Sequence, residues 1–349
     1  MRKIIFTLLV VMMVFTLGIM ESFAQEETVF SGNLRMGYKK LYNDAAEEWM
    51  DDGLSLHFLE LWVRKQVGDF GIFVNQRIGD ANNNYLWEGQ IYYNIPNSLG
   101  KLNIGLVRVP FGIYANGLYY PKGILYDKNW MWDRDYGITY EGKFQLSDTL
   151  GIDAAAGFLT NQNGSGELGA FTVEHPDCAP CTGENNNISG RVGADITMED
   201  ALALKVGGSV QTGKLMREDA EDDTKLGIAG DVTVDLNMLP VPVSVWGEFV
   251  NYSLADIDAA KGNILGAQLN ITSPAGMEIG PIGKMILSLH LSQDMPKDDA
   301  LSSKTALIGQ LRLIMHKNFN IFAQVFGNSV EGADGLLDKG VRVWLMYIF

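Results

Sequence analysis

The chain has 349 residues, with 27 Lys and Arg against 42 Asp and Glu, and therefore a formal net charge of −15. Its mean hydropathy of +0.02, together with 39 Gly and only 10 Pro, excludes a disordered chain, a collagen-like chain and a bundle of membrane helices. The acidic balance also argues against a nucleic-acid partner, because contacts to phosphates need clustered cations.

Residues 1–24 have the organisation of a signal peptide. Arg2 and Lys3 form a basic start, an apolar run follows from Ile4 to Met20, and Ser22-Phe23-Ala24 provides small residues at the positions that a signal peptidase reads. Cleavage after Ala24 would leave an exported protein. A retained single membrane anchor is the alternative interpretation.

The rest of the chain is dominated by alternation of apolar and polar residues. At the C-terminus, Phe349, Tyr347 and Leu345 share one face of a predicted strand, and Trp344 and Arg342 share the other. The same pattern predicts sixteen strands, each near the ~9–11 residues that a tilted membrane strand requires. These strands are predicted at 28–39, 53–67, 69–79, 85–95, 101–110, 134–145, 149–160, 188–197, 201–213, 224–236, 241–251, 263–272, 282–293, 303–315, 319–329 and 339–349.

The predicted connections differ in length in a regular way. Those after even-numbered strands are mostly tight turns, such as the one at Gly68, with 273–281 as the longer exception. Those after odd-numbered strands are mostly long. A soluble β-sandwich also shows alternation, but it has no reason to segregate its loops. The predicted fold is therefore all-β: a single transmembrane antiparallel barrel over 25–349, of about 16 strands, with short periplasmic turns and long extracellular loops.

A barrel of about 16 strands encloses an aqueous channel unless a loop plugs it. The polar phase of the strands places both signs of charge on the predicted inner wall. The candidates for lining or constricting the pore are Arg64, Arg77, Arg108, Arg134, Lys143, Glu60, Glu141 and Asp133.

The surplus negative charge collects in predicted outer loops, as at 44–52 and 218–223. Acidic loops at an outer mouth would concentrate cations and repel anions. Solvated loops that bind divalent cations near lipopolysaccharide are the alternative interpretation.

The predicted loop 111–133 differs from the other long loops because it is aromatic and not acidic. Such a loop would be poorly hydrated if it protruded, so we expect it to fold into the barrel and to narrow the lumen. An aromatic girdle or a subunit contact is the alternative. Its aromatic residues are Tyr114, Tyr119, Tyr120, Tyr126, Trp130 and Trp132.

Two segments around this loop carry a family resemblance. Val107-Arg108-Val109-Pro110-Phe111-Gly112, followed after the loop by Arg134-Asp135-Tyr136-Gly137-Ile138, resembles the conserved block of the phosphate-selective porin O/P family. The strand ending at Phe349 resembles the barrel-assembly signal. The resemblance implies a sixteen-stranded outer-membrane porin, typically trimeric, in which Arg108 and Arg134 match basic positions of the motif. The acidic loops and the lack of a lysine-rich cluster depart from an anion-trapping pore.

Other chemistry is sparsely represented. Cys178 and Cys181 are the two cysteines of the chain, and in an exported protein this spacing favours a disulfide that staples the loop. A metal site with His175 and Asp177 lacks a second pair of ligands, and a redox-labile pair is a further alternative. No nucleophile with an activating base is evident, so we expect no enzyme activity, cofactor or metal. A break in phase between Phe58 and Leu59 predicts a β-bulge.

The sequence thus predicts a porin of the bacterial outer membrane, a passive diffusion channel for small hydrophilic solutes or ions. We expect it to be surrounded by outer-membrane lipid and lipopolysaccharide and to form a homotrimer. The alternative function is a scaffold or receptor barrel that holds a partner without free conduction.

Overall fold

The computed structural model is a closed antiparallel β-barrel of sixteen strands. It describes residues 28–43, 48–79, 84–113, 134–163, 187–198, 201–217, 220–253, 261–274, 276–277, 279–298, 301–316, 318–330 and 336–349. The strands are β1 (Val29–Asn43), β2 (Glu48–Val67), β3 (Phe70–Gly79), β4 (Asn84–Ile95), β5 (Gly100–Arg108), β6 (Arg134–Gln145), β7 (Leu150–Asn163), β8 (Asn187–Met198), β9 (Leu202–Arg217), β10 (Ala220–Leu236), β11 (Val243–Ser253), β12 (Lys261–Thr272), β13 (Lys284–Pro296), β14 (Lys304–His316), β15 (Phe319–Val330) and β16 (Leu336–Ile348).

Every strand pairs with its neighbours in the sequence, and β16 closes the barrel by pairing with β1. At this seam the Phe349 N–H donates to the Gly32 carbonyl oxygen at 3.0 Å, and the Gly32 N–H donates to the Phe349 carbonyl oxygen at 2.9 Å. Closure removes unpaired strand edges, which is the condition for strands to cross lipid. The predicted fold class and all sixteen predicted strands are confirmed.

The two ends of the barrel differ in the way that the sequence predicts. The periplasmic end carries tight turns, such as Gly68–Asp69, where Gly68 has a φ of 59° that favours glycine. Pro96–Ser98 forms a short 3-10 turn between β4 and β5. The connection from β12 to β13 is again the longer exception, and it contains an isolated bridge between Ile279 and Ile282.

At the other end the strands extend further than predicted. The β9–β10 connection is 218–219, where the sequence predicted a loop over 214–223. Asp222 and Asp223 therefore belong to β10, and Asp51 and Asp52 belong to β2. The expectation that these acidic residues lie in loops is wrong. Pairing between two strands satisfies the backbone N–H and C=O groups whether or not the strands have an apolar face. Strand lengths predicted from hydrophobic alternation are therefore too short where the strands extend beyond the membrane.

The alternation of faces is clearest in β13. Leu287, Leu289 and Leu291 are exposed, whereas Ser288 and His290 between them are buried. The outer face is thus apolar and the inner face carries the polar side chains, as a membrane barrel requires. Among the described residues, no helix is long and apolar enough to cross a membrane.

A β-bulge interrupts the alternation in β2. The pairing with β1 changes from Arg35–Phe58 to Met36–Leu56, which leaves His57 as the extra residue. The predicted bulge is therefore present, one residue before Phe58.

Part of the inner wall is apolar, which the sequence analysis did not predict. Phe322 and Trp344 stack with ring centroids 5.2 Å apart, and Met346 packs against them. Ile264 and Ile308 share the inward phase of β12 and β14 and are also buried. The wall from β12 to β16 therefore combines apolar side chains with buried amides.

Candidate functional site

The first group of interior charges lies on β1, β2 and β3. The Arg77 Nε donates to Glu60 Oε1 at 2.8 Å, and a second guanidinium nitrogen of Arg77 binds the same carboxylate. The Asn33 amide donates to Glu60 Oε2 at 2.5 Å. Both charged side chains are nearly buried, with 10% and 7% exposed. Because the two charges neutralise each other, these two predicted pore-lining residues contribute little net field to the lumen.

The second group joins Arg108 and Arg134, the two basic residues on either side of the loop 111–133, to one carboxylate. Arg108 and Arg134 are directly opposite each other in the β5–β6 pairing. Glu88 on β4 lies 3.6 Å from the Arg108 Nε and 3.3 Å from an Arg134 guanidinium nitrogen. Glu88 offsets the repulsion between the two opposed cations. Arg108 remains 55% exposed, whereas Arg134 is 12% exposed.

The chain leaving β5 turns into the barrel interior. The Ser189 hydroxyl of β8 donates to the Pro110 carbonyl oxygen at 2.9 Å. The Gly112 N–H donates to the Ser209 Oγ of β9 at 2.9 Å, and the Ile113 N–H donates to the Glu248 Oε1 of β11 at 2.9 Å. Residues 110–113, hereafter the crossing segment, therefore enter the barrel from β5 and are hydrogen-bonded there to side chains of β8, β9 and β11.

A charged cluster lies beside the crossing segment. Arg191 on β8 forms a bidentate ion pair with Asp231 on β10, in which the Arg191 Nη2 donates to Asp231 Oδ1 at 2.9 Å. Its Nε is 3.8 Å from Asp153, and its Nη1 is 3.5 Å from the Ser209 hydroxyl. Ser209 thus connects this cluster to the crossing segment.

Glycine makes room for this cluster. A Cβ on Gly207 would collide with the Arg191 guanidinium, and one on Gly193 would collide with the Asp153 carboxylate. In the sequence, the only sign of this cluster is that Gly193 and Gly207 occupy inward positions of β8 and β9.

The remaining described candidates lie nearer the periplasmic end. Glu141 and Lys143 are exposed, and Lys101 Nζ is 4.0 Å from Glu141. The Asn103 amide donates to Glu141 at 3.2 Å. Arg64 lies over the ring of Phe73, with 5.3 Å from its guanidinium carbon to the ring centroid.

Several predictions fall on residues that the structure does not describe. Asp133, the pair Cys178 and Cys181, the segment 1–24 and the part of the aromatic loop from 114 onward all lie outside the described residues. Within the part of the chain that is described, no group of three or more His, Cys, Asp or Glu side chains could hold a metal ion.

These features define a class of protein. A closed sixteen-stranded antiparallel barrel with an apolar outer face and a charged, hydrogen-bonded interior is a bacterial outer-membrane β-barrel with the porin architecture.

Comparison with solved structures agrees with this class. An anion-selective porin from Comamonas acidovorans is similar with a TM-score of 0.65 at 13% identity, over 93% of this chain and 100% of that one. OmpT of Vibrio cholerae, an outer membrane protein in its trimer form, is similar with a TM-score of 0.62 at 11% identity, over 93% of this chain and 100% of that one. OprB of Pseudomonas putida is similar with a TM-score of 0.60 at 9% identity, over 93% of this chain and 94% of that one. At these identities the likeness establishes the fold.

No protein-family profile matches the chain, and no curated protein matches it.

Proposed function

We propose that the protein is a porin, a passive diffusion channel for small hydrophilic solutes or ions. The observation that carries this proposal is the crossing segment, which enters the interior of a sixteen-stranded barrel from β5 and binds side chains of β9 and β11. A barrel of this size is wide enough for water, and a chain segment that enters it narrows the passage without filling it.

We further propose that the loop 111–133 forms the waist of the channel. Its first residues belong to the crossing segment, and Arg108 and Arg134 lie where the chain leaves β5 and enters β6. Glu88 holds both arginines in place. A solute passing the loop would therefore contact the exposed Arg108 guanidinium, beside the less exposed Arg134 and Glu88. Asp133 adjoins Arg134 in the sequence.

Planar-bilayer recording tests the channel directly. We expect stepwise currents from the purified wild-type protein, and altered conductance or ion preference in Arg108→Ala and Arg134→Ala. Lys284→Ala, at the periplasmic start of β13, is the matched control and should leave both unchanged. Unaltered currents in both arginine variants would place the constriction elsewhere.

The alternative function is a scaffold or receptor barrel without free conduction. The apolar part of the inner wall, with Ile264, Ile308, Phe322 and Trp344 buried, is the observation that favours it, because water-filled lumens are lined by polar residues. A folded protein that gives no stepwise current in the bilayer would overturn the porin proposal and favour this alternative.

Phosphate selectivity and a trimeric assembly are finer proposals. The first is supported by the motif at 107–112 and by Arg108 and Arg134. Phosphate that reduces the chloride current would support it, and an unchanged current would oppose it. A homotrimer, surrounded by outer-membrane lipid and lipopolysaccharide, is tested by chemical cross-linking of the protein in native outer membranes.

A further inference from the structure

The inner wall of the barrel is unevenly exposed. On β15 and β16 the inward residues are buried even beside the periplasmic turn, as Asn320 at 1% and Met346 at 4% exposed show. At the same end of β6 and β9, Glu141 and Lys205 have about half of their side chains exposed, 53% and 49%. Near the periplasm, open space therefore lies against β6 and β9 and not against β15 and β16.

This open side carries a row of alternating charges. Lys101 faces Glu141 across the β5–β6 pairing, Lys143 faces Asp153 across β6–β7, and Asp195 faces Lys205 across β8–β9. The Lys205 Nζ is 3.2 Å from Asp195 Oδ2. We call these six residues the charge ladder: Lys101, Glu141, Lys143, Asp153, Asp195 and Lys205.

The charge ladder is more exposed than the Arg77–Glu60 and Arg191–Asp231 ion pairs, and it adjoins the second pair because Asp153 lies 3.8 Å from the Arg191 Nε. Glu60 and Asp231 have 7% and 2% of their side chains exposed, so a passing solute does not reach them. The ladder lysines 143 and 205 are exposed, and the ladder carboxylates Asp153 and Asp195 are 27% and 29% exposed. Three lysines against three carboxylates give the ladder a net charge of zero, so an ion of either sign finds a counter-charge along it.

We infer that solutes reach the periplasm along the β5–β9 wall, in contact with the charge ladder, and that Lys143 and Lys205 set the ion preference of this exit. This inference rests on the proposed channel function. On the opposite side, buried side chains of β15 and β16 occupy the wall and leave no comparable row of exposed charges among the described residues.

Charge reversal with a matched control tests the inference. Lys143→Glu and Lys205→Glu each change the ladder from neutral to −2. Lys284→Glu makes the same change at an exposed position at the periplasmic end of β13. Reversal potentials are measured in a KCl gradient near 0.1 M, where charges are screened beyond about 10 Å. We expect the potassium-to-chloride permeability ratio to rise on the order of twofold in the two ladder variants and to stay unchanged in Lys284→Glu.

Further variants and a folding check complete the test. Lys205→Gln should give a smaller shift of the same sign, and Asp195→Lys should shift the ratio toward chloride. Heat-dependent mobility on gels checks that each variant is folded.

The outcomes separate the two proposals. Wild-type protein without current would overturn the channel function itself. If the wild type conducts, equal shifts in Lys284→Glu and the ladder variants, or no shift in folded ladder variants, would overturn the exit along β5–β9.

Discussion

At the scale of single residues, the interior is organised by carboxylates that hold basic groups in place. Glu88 binds Arg108 and Arg134, and Glu60 binds Arg77. The polar phase of the strands predicted that these residues face inward, but it did not predict which of them pair. The pairing depends on the register between strands, and register decides which inward charges lie close enough to pair.

Gly105 shows a second constraint at the residue scale. Its φ of 132° lies outside the range that other residues favour, and an added Cβ would collide with the backbone carbonyl oxygen of Gly89. We expect Gly105→Ala to lower the free energy of unfolding by about 1–3 kcal/mol, because both the conformation and the contact are unfavourable. Urea titration of the folded protein in detergent or vesicles measures the change.

Gly230→Ala is the control for this prediction. Gly230 has no atom within 4 Å of an added Cβ and no positive φ, so its substitution should change the unfolding free energy little. Equal effects of the two substitutions would contradict the steric explanation.

At the scale of elements, the crossing segment is held by side chains from three strands. Ser189, Ser209 and Glu248 each make one hydrogen bond to its backbone. No local pattern in the sequence connects these positions, because they come from strands that only barrel closure brings around the same lumen. The sequence predicted an inward loop from its aromatic composition, but not where it attaches.

We expect Ser209→Ala and Glu248→Ala to loosen the crossing segment. Each substitution removes one acceptor, worth about 1 kcal/mol in net stability, so the segment should fluctuate more. Single-channel recording should show greater open-channel current noise than in the wild type.

Ser292→Ala is the matched control, since Ser292 is a buried serine on the inner face of β13. None of the described hydrogen bonds of the crossing segment involves it. The same noise in Ser292→Ala as in Ser209→Ala would contradict a specific anchoring role.

At the scale of the whole molecule, the barrel depends on closure between its first and last strands. Phe349 exchanges two backbone hydrogen bonds with Gly32, and its ring stacks on Tyr347 with centroids 6.3 Å apart. Deleting Phe349 removes both bonds, which contribute about 1 kcal/mol each, and exposes a strand edge. We expect a smaller fraction of folded, heat-modifiable barrel on gels.

Phe349→Leu separates the backbone from the ring, because it keeps both hydrogen bonds. It should fold to a greater extent than the deletion variant. Deletion and substitution with equal yields would indicate that the backbone closure at Gly32 is dispensable.

The sequence by itself determined the strand count, the outer apolar face and the segregation of turns, because alternation and turn residues are local properties. It underestimated strands such as β9 and β10, since paired hairpins beyond the membrane need no apolar face. Only the tertiary structure decided how the lumen is built. The anchoring of the crossing segment depends on side chains of β8, β9 and β11, which closure brings around one lumen. The pairing of Glu60 with Arg77, and of Glu88 with Arg108 and Arg134, depends on the register of nearby strands, which local alternation does not determine.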